Sequence, residues 1–218
     1  MNQKEIDETV RLHRLWLKDD PKGKRADFSE ADLRGVMLIG LDLQEAIFTN
    51  ANLQNAEFSN THLRGADFSN ADLRDTYFRY ANLHGACMYR ANLKDANLYR
   101  ASLFYAHLSF ANLQGTNLQG TNLQGTNFNN ANLEDSNLIE ANLQYTNLIN
   151  TDLRGTGLLT FQYHKHFAYS VGNSITIGCE THSIQEWLYC YKELGRIEGY
   201  TEKEIKMYGN FIKMCAER

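Results

Sequence analysis

The chain has a single proline and no apolar run long enough to cross a bilayer, so neither a proline-rich linker nor a membrane-spanning helix is expected. It does not open on a basic stretch followed by an apolar one, so the sequence does not support secretion. Charge is scarce as well. A formal net charge of -4 over 218 residues is too mild to imply nucleic-acid binding by basicity, and too mild to mark a strongly acidic protein. Cysteine is sparse and unevenly placed, with Cys87 in the middle and Cys179, Cys190 and Cys215 near the end. A disulfide framework is not expected, and the reading is a reduced, cytoplasmic protein. No P-loop, G-x-G-x-x-G, nucleophile–base pair or paired carboxylates occur in a suitable context, so neither an enzyme nor a cofactor is expected.

What the sequence does contain is a repeat. From Ala26 to Thr160 a Leu, Phe or Met falls at every fifth residue, from Phe28, Leu33 and Leu38 to Leu148, Leu153 and Leu158. Two residues earlier the side chain is nearly always small, as at Ala26, Ala31, Ala46, Thr116 and Thr121, which gives twenty-seven in-phase copies of A-(D/N)-L-x-x. A period of five suits neither a helix nor a flat strand, because either would rotate the large side chains out into solvent. A chain that turns a corner after each repeat keeps them inside. Sorting by twenty tests a four-cornered coil: one column reads Phe28, Phe48, Phe68, Met88, Leu108, Phe128, Leu148, and the column from Leu38 holds Phe58 and Phe78. Every central Phe then falls into two stacks on opposite walls. At the usual strand spacing, nearly seven such coils are ~30 Å tall. The last residue of a repeat is Gly, Asn or Asp in 17 of 27 copies, the types that tolerate a positive φ at a recurring corner.

The expected organisation is an N-terminal capping helix and link over residues 1–25, the coil over 26–160, and a C-terminal module over 161–218. In the first, Ile6, Val10, His13, Trp16 and Leu17 form one helical stripe stopped by Asp19, Asp20 and Pro21, with Trp16 read as the plug over the first coil. In the last, Phe167–Val171 and Ile175–Cys179 alternate around Gly172-Asn173 as a hairpin. Ser183/Glu186 and Thr201/Glu204 then open two helices with capping boxes, a ββαα arrangement.

The A-(D/N)-L-x-x run resembles the pentapeptide-repeat family, and H-x-x-W-L at residues 13–17 is similar to the N-terminal extension of its bacterial members. The resemblance implies an all-β solenoid, the right-handed quadrilateral β-helix. It also implies a second functional reading. Members that protect DNA gyrase imitate DNA with acidic faces, a role that Asp27, Asp32, Asp42, Asp67, Asp72 and Asp152 would take here. Weighing against it, Asn outnumbers Asp in the second half, and residues 26–160 carry only six more acidic than basic side chains. The Asn/Asp columns have a plainer reading as an amide ladder between coils.

Two groups of residues stand apart from the repeat. Cys179, His182, Cys190, Cys215, His164 and His166 could surround zinc. However, their spacing fits no common finger and Cys190 and Cys215 lie on apolar stripes, so no metal is expected. In the third to fifth coils, outward positions turn aromatic or Arg: Tyr77, Arg79, Tyr80, Tyr89, Arg90, Tyr99, Arg100, Phe104, Tyr105 and Phe110. Such a patch on a polar surface reads as a contact surface for a protein partner or for self-association. Intramolecular cover and simple stacking between coils are the alternatives. No direct nucleic-acid or membrane partner is expected. The leading function is a non-enzymatic scaffold that presents a rigid surface for protein contacts.

Overall fold

The computed structural model describes residues 1–163, 166–178 and 180–217. The chain divides into two compact units, Met1–Thr156 and Gly157–Arg218.

The first unit opens with α1, Gln3–Trp16. Its start follows from Asn2, whose side chain accepts from the Glu5 N–H while the Glu5 carboxylate accepts from the Asn2 N–H. Ile6, Val10 and His13 form its buried face. The residue at the junction with the coil is His13 rather than Trp16. The imidazole is fully buried, its Nδ1 accepts from the Ala26 N–H at 3.1 Å, and the half-buried Trp16 ring stacks on it at 5.3 Å. His13 Nε2 has no partner among the described residues. Burial holds this imidazole below its ordinary value, against the opposing pull of the Asp42 carboxylate.

The sign of the resulting pH effect follows directly. The unfolded chain takes up the proton near pH 6.5, before the folded one does. The His13 contribution to stability is therefore complete above that pH and is lost as pH falls toward the lower folded value, at up to about 1.4 kcal/mol per pH unit. Urea midpoints between pH 7.5 and 5.5 should fall more steeply for the native chain than for His13→Gln. Parallel pH profiles would show that the imidazole is not the group responsible.

From Asp27 the backbone returns beside itself every twenty residues. Parallel bridges join Asp27 to Ile47, Asp32 to Asn52, and so on to Asn132 with Asp152, so each coil consists of four five-residue sides. We number the sides by their central columns, which start at Phe28, Leu33, Leu38 and Leu43. Within a side, the central N–H donates to the next coil, as Phe28 does to the Ile47 carbonyl at 2.7 Å. At the corner the residue three on donates back, as Ala31 does to the Phe28 carbonyl at 3.2 Å. That turn places the last residue of the repeat at positive φ, from Glu30 at 61° to Gly155 at 73°.

The central side chains from Phe28 to Leu143 are buried, while Leu148, Leu153 and Leu158 are only half-buried. The Phe columns meet as expected. Phe28, Phe48 and Phe68 stack at 5.0 and 4.7 Å on one wall, and Phe58 stacks on Phe78 at 5.0 Å on the opposite wall. The two stacks touch edge to face across the interior at 5.6–5.9 Å. Inward Thr residues satisfy their hydroxyls within the wall. Thr121 Oγ1 donates to the Leu98 carbonyl at 3.0 Å, and Thr116 and Thr126 repeat the arrangement.

The Asn/Asp columns differ from the expected ladder. Their side-chain oxygens mostly accept from the N–H two residues on, as in Asn82 to His84, Asn97 to Tyr99 and Asn132 to Glu134, and so brace the turn of their own repeat. Coil-to-coil amide bonds within these columns occur at Asn112–Asn92 and Asn147–Asn127. A carboxamide two residues before a turn finds its nearest unpaired donor locally, and this competes with the coil above.

The second unit holds a four-stranded antiparallel meander: β1 Leu159–Tyr163, β2 His166–Val171, β3 Ser174–Ile177 and β4 Glu180–Ser183, in the order β1-β2-β3-β4. The expected hairpin is its β2–β3 centre, and two more strands flank it. The last two residues of the sequence repeat, Leu159 and Thr160, lie in β1. Helices α2, Ile184–Ile197, and α3, Glu202–Ala216, start at the expected Ser183/Glu186 and Thr201/Glu204 capping boxes. The unit's core joins Ala168, Ile175 and Ile177 to Trp187, Phe211 and Ile212, and Trp187 Nε1 donates to the Ile175 carbonyl at 2.7 Å.

Candidate functional site

Corner geometry defines the site. Elsewhere in the coil the left-handed corner residue is Gly, Asn, Asp or Glu, with Tyr145 as the exception. Between residues 80 and 110 Gly85 and Asp95 keep these types, but the other five corners are Tyr80, Arg90, Arg100, Tyr105 and Phe110, at φ from 53° to 62°. An L-residue with a bulky side chain pays roughly 1–2 kcal/mol in this conformation relative to glycine. All five are exposed, Tyr105 at 60% and Phe110 at 50%.

The ten sequence-selected residues form two clusters. At the corner between the third and fourth sides, Tyr99 takes the edge of Tyr80 at 5.7 Å and lies beneath the guanidinium groups of Arg100 and Arg79 at 5.3 and 5.9 Å. Tyr77 is exposed on the third side of the same coil as Tyr80. Phe104 and Tyr105 pack edge to face at 4.4 Å at the far end of the fourth side. The second cluster is on the first side, where Arg90 lies over Tyr89 and Phe110 at 5.1 and 5.9 Å and Tyr89 also meets His107. The patch therefore wraps corners instead of covering one face.

Two features carry no obvious motif in the sequence. The first is a run of glycines one coil further on, which gives the corner side chains room. A Cβ on Gly125 would stand 2.5 Å from the Tyr105 ring, and one on Gly120 would stand 3.0 Å from Arg100 Cγ. A bulky corner residue followed by Gly twenty positions later is the readable sign. The second is an open groove of about 520 Å³ on the fourth side. Its floor is the bridged column Asn82, Ser102 and Asn122, and its walls are Tyr80 with Arg100 and His84 with Phe104, the latter two rings 5.1 Å apart.

Strain at Tyr80 predicts an unusual stability result. Tyr80→Asn should leave the unfolding free energy unchanged or raise it by up to about 1 kcal/mol, because asparagine tolerates the left-handed region and offsets the lost ring contact. A loss of more than about 1 kcal/mol in chemical denaturation would mean that internal packing is the ring's purpose.

The acidic display is locally neutralised. Asp32, Asp72 and Asp152 each bind the Arg two residues on, with Nη2 to Oδ2 distances of 2.6 Å, and the Arg34 guanidinium holds the Asp32 carboxyl at about 2. Asp27, Asp42 and Asp67 accept from the N–H groups of Ser29, Gln44 and Ser69. Of the zinc candidates, Cys179 and His164 lie outside the described residues, as does the His166 side chain. Among the described residues no group of three or more His, Cys, Asp or Glu could hold a metal. Burial pushes the Cys190 thiol up, so it stays protonated.

Residues 26–65, 56–95, 89–120 and 116–155 match the family model for pentapeptide repeats, in 8 copies. Among solved structures the chain is similar to HetL, a pentapeptide repeat protein involved in heterocyst differentiation regulation from the cyanobacterium Nostoc sp. strain PCC 7120. The identity is 26% over 72% of this chain and 94% of that one, with a TM-score of 0.34. It is also similar to a trypsin-treated form of QnrB1, a plasmid-mediated fluoroquinolone resistance protein, at 25% identity over 59% of this chain and 77% of that one, TM-score 0.35. Rfr23, a pentapeptide repeat protein from the cyanobacterium Cyanothece 51142, is 24% identical over 66% and 94%, TM-score 0.32. No curated protein matches by sequence.

Proposed function

The chain belongs to the pentapeptide-repeat family, and from that premise we propose that it is a non-enzymatic scaffold whose coil, right-handed as in the family, presents a rigid contact surface to a protein partner or a second copy of itself. A reduced, cytoplasmic setting goes with this reading. The observation that carries it is the clustering of Tyr80, Arg90, Arg100, Tyr105 and Phe110 at left-handed corners. Stability alone would favour Gly or Asn at each of these positions, as at most other corners of the coil. Holding exposed aromatic and Arg side chains there costs free energy that the folded chain does not recover from burial, and such strain collects at functional sites. Tyr and Arg are also the side chains that anchor protein interfaces.

The test compares the double variant Tyr80→Asn/Tyr105→Asn with Tyr145→Asn, which alters a left-handed tyrosine outside the patch. Light scattering and capture from the native host should show an oligomeric mass or a bound protein that the double variant loses and the control keeps. Identical mass and identical captured proteins in both variants would remove the patch from the reading.

Charge mimicry of DNA toward gyrase is the second reading, and the geometry favours it less. Three of its six carboxylates are paired with Arg and the other three brace their own turns. Gyrase supercoiling that changes with micromolar protein, and no longer changes after Asp67→Asn with Asp72→Asn, would restore it.

A further inference from the structure

The fourth side is acidic only in the first coil, at Asp42 and Glu45. Across residues 61–65, 81–85, 101–105, 121–125 and 141–145 it has no Asp or Glu, in a coil whose acidic side chains outnumber basic ones by six. It carries Arg64, His62 and His84, and Arg100 stands at its edge. Arg100 also differs from Arg34, Arg74 and Arg154, which all bind carboxylates. Its guanidinium lies over Tyr99, and among the described residues it has no acidic partner.

The groove floor is chemically biased in the same direction. Asn82 and Asn122 each commit Oδ1 to a backbone N–H, of His84 and Gln124, at 3.1 Å. What they offer outward is the amide NH₂. With the Ser102 hydroxyl, the Arg100 guanidinium and the His84 ring, the groove offers hydrogen-bond donors and no carboxylate. Tyr80 and Phe104 supply apolar flanks, and three coils make it ~10 Å tall.

We propose that this groove binds an extended, acidic segment of a protein partner, with a carboxylate held by Arg100 beside His84 and backbone carbonyls accepting from Asn82 and Asn122. The inference rests on the scaffold reading and gives its partner a chemistry. A peptide is favoured over a nucleic acid because Arg100 is the one permanent cation among the residues that line the groove. A nucleic acid would need a cation at each successive phosphate, whereas a peptide places a carboxylate only where Arg100 waits.

The experiment titrates the full chain with a fluorescein-labelled, end-capped hexapeptide of alternating Glu and Val, with its Gln–Val counterpart and with a labelled thymidine hexanucleotide, by anisotropy at low salt. Saturable binding of the Glu peptide, weakened at least tenfold by Arg100→Gln and unchanged by Arg34→Gln, is expected. Equal binding of the Gln peptide, tighter binding of the oligonucleotide, insensitivity to Arg100→Gln, or no saturable binding would each overturn the proposal. If the peptide fails while the Tyr80/Tyr105 comparison still loses a partner, only the acidic segment falls. If both fail, the contact surface falls with it.

Discussion

Phe68→Ala should lower the unfolding free energy by about 3–5 kcal/mol, the upper range for an aromatic core truncation. The ring is fully buried, stacked on Phe48 at 4.7 Å with only 2° between planes, and it meets Phe58 and Phe78 edge-on at 5.9 and 5.8 Å. Its removal opens a cavity between two hydrogen-bonded coils that cannot collapse into it, because their spacing is set by the backbone bridges above and below. Phe128→Ala is the internal comparison. It is equally buried in the same column, but among the described residues no ring contacts it. It should cost less by the aromatic pairing, about 1 kcal/mol or more. Urea unfolding of both variants reads the difference. A Phe68→Ala loss below about 1 kcal/mol would mean that the interior is not packed as a solid column.

Gly23→Ala should detach the N-terminal helix from the coil at a cost of about 3 kcal/mol, comparable to a severe overpacking. A Cβ at this glycine would overlap the backbone nitrogen and Cα of Trp16, and backbone atoms have no rotamer by which to withdraw. The link is also held at this glycine and at the residue after it. The Gly23 N–H donates to the Asp20 carbonyl at 2.7 Å and the Lys24 N–H to the Leu12 carbonyl at 3.1 Å. Two readouts follow. Hydrogen exchange should lose protection across α1 and at Ala26 while the coil from Phe48 onward keeps it. Because an uncovered coil end presents unpaired backbone to any neighbour, the variant should also associate with rising concentration. Retained protection at Ala26 would show that the link has room the structure does not display.

Much of the coil was readable in the chain. The five-residue period alone excludes helix and flat strand, and the twenty-residue sorting of Phe48, Phe68, Phe58 and Phe78 anticipates the walls on which their rings stack. The corner was readable too, since Gly, Asn and Asp recur where φ is positive. Other features were not. The role of the Asn and Asp columns depends on where the N–H two residues on points, which is a property of the turn and not of the residue type. His13, rather than Trp16, is the side chain buried against the first coil, because a ring nitrogen can accept from the Ala26 N–H and an indole cannot. β1 is hidden because its first residues continue the repeat in phase, and β4, Glu-Thr-His-Ser, carries no apolar alternation.

The groove falls between these cases. The absence of acid from residues 61–65 through 141–145 is present in the sequence, but a missing charge is marked by no motif. What makes it a site is the meeting of Tyr80, Arg100, His84 and Phe104, which are up to twenty-four residues apart. By itself the sequence determined everything governed by a short, repeated local rule: which side chains turn inward, where the corners fall and how many residues close a coil. Only the tertiary structure decided which outward groups are neutralised, which are spent bracing a turn and which remain open to a partner. Inward packing depends on a residue's own size and polarity, whereas a surface group's availability depends on the neighbour that closing the coil puts beside it.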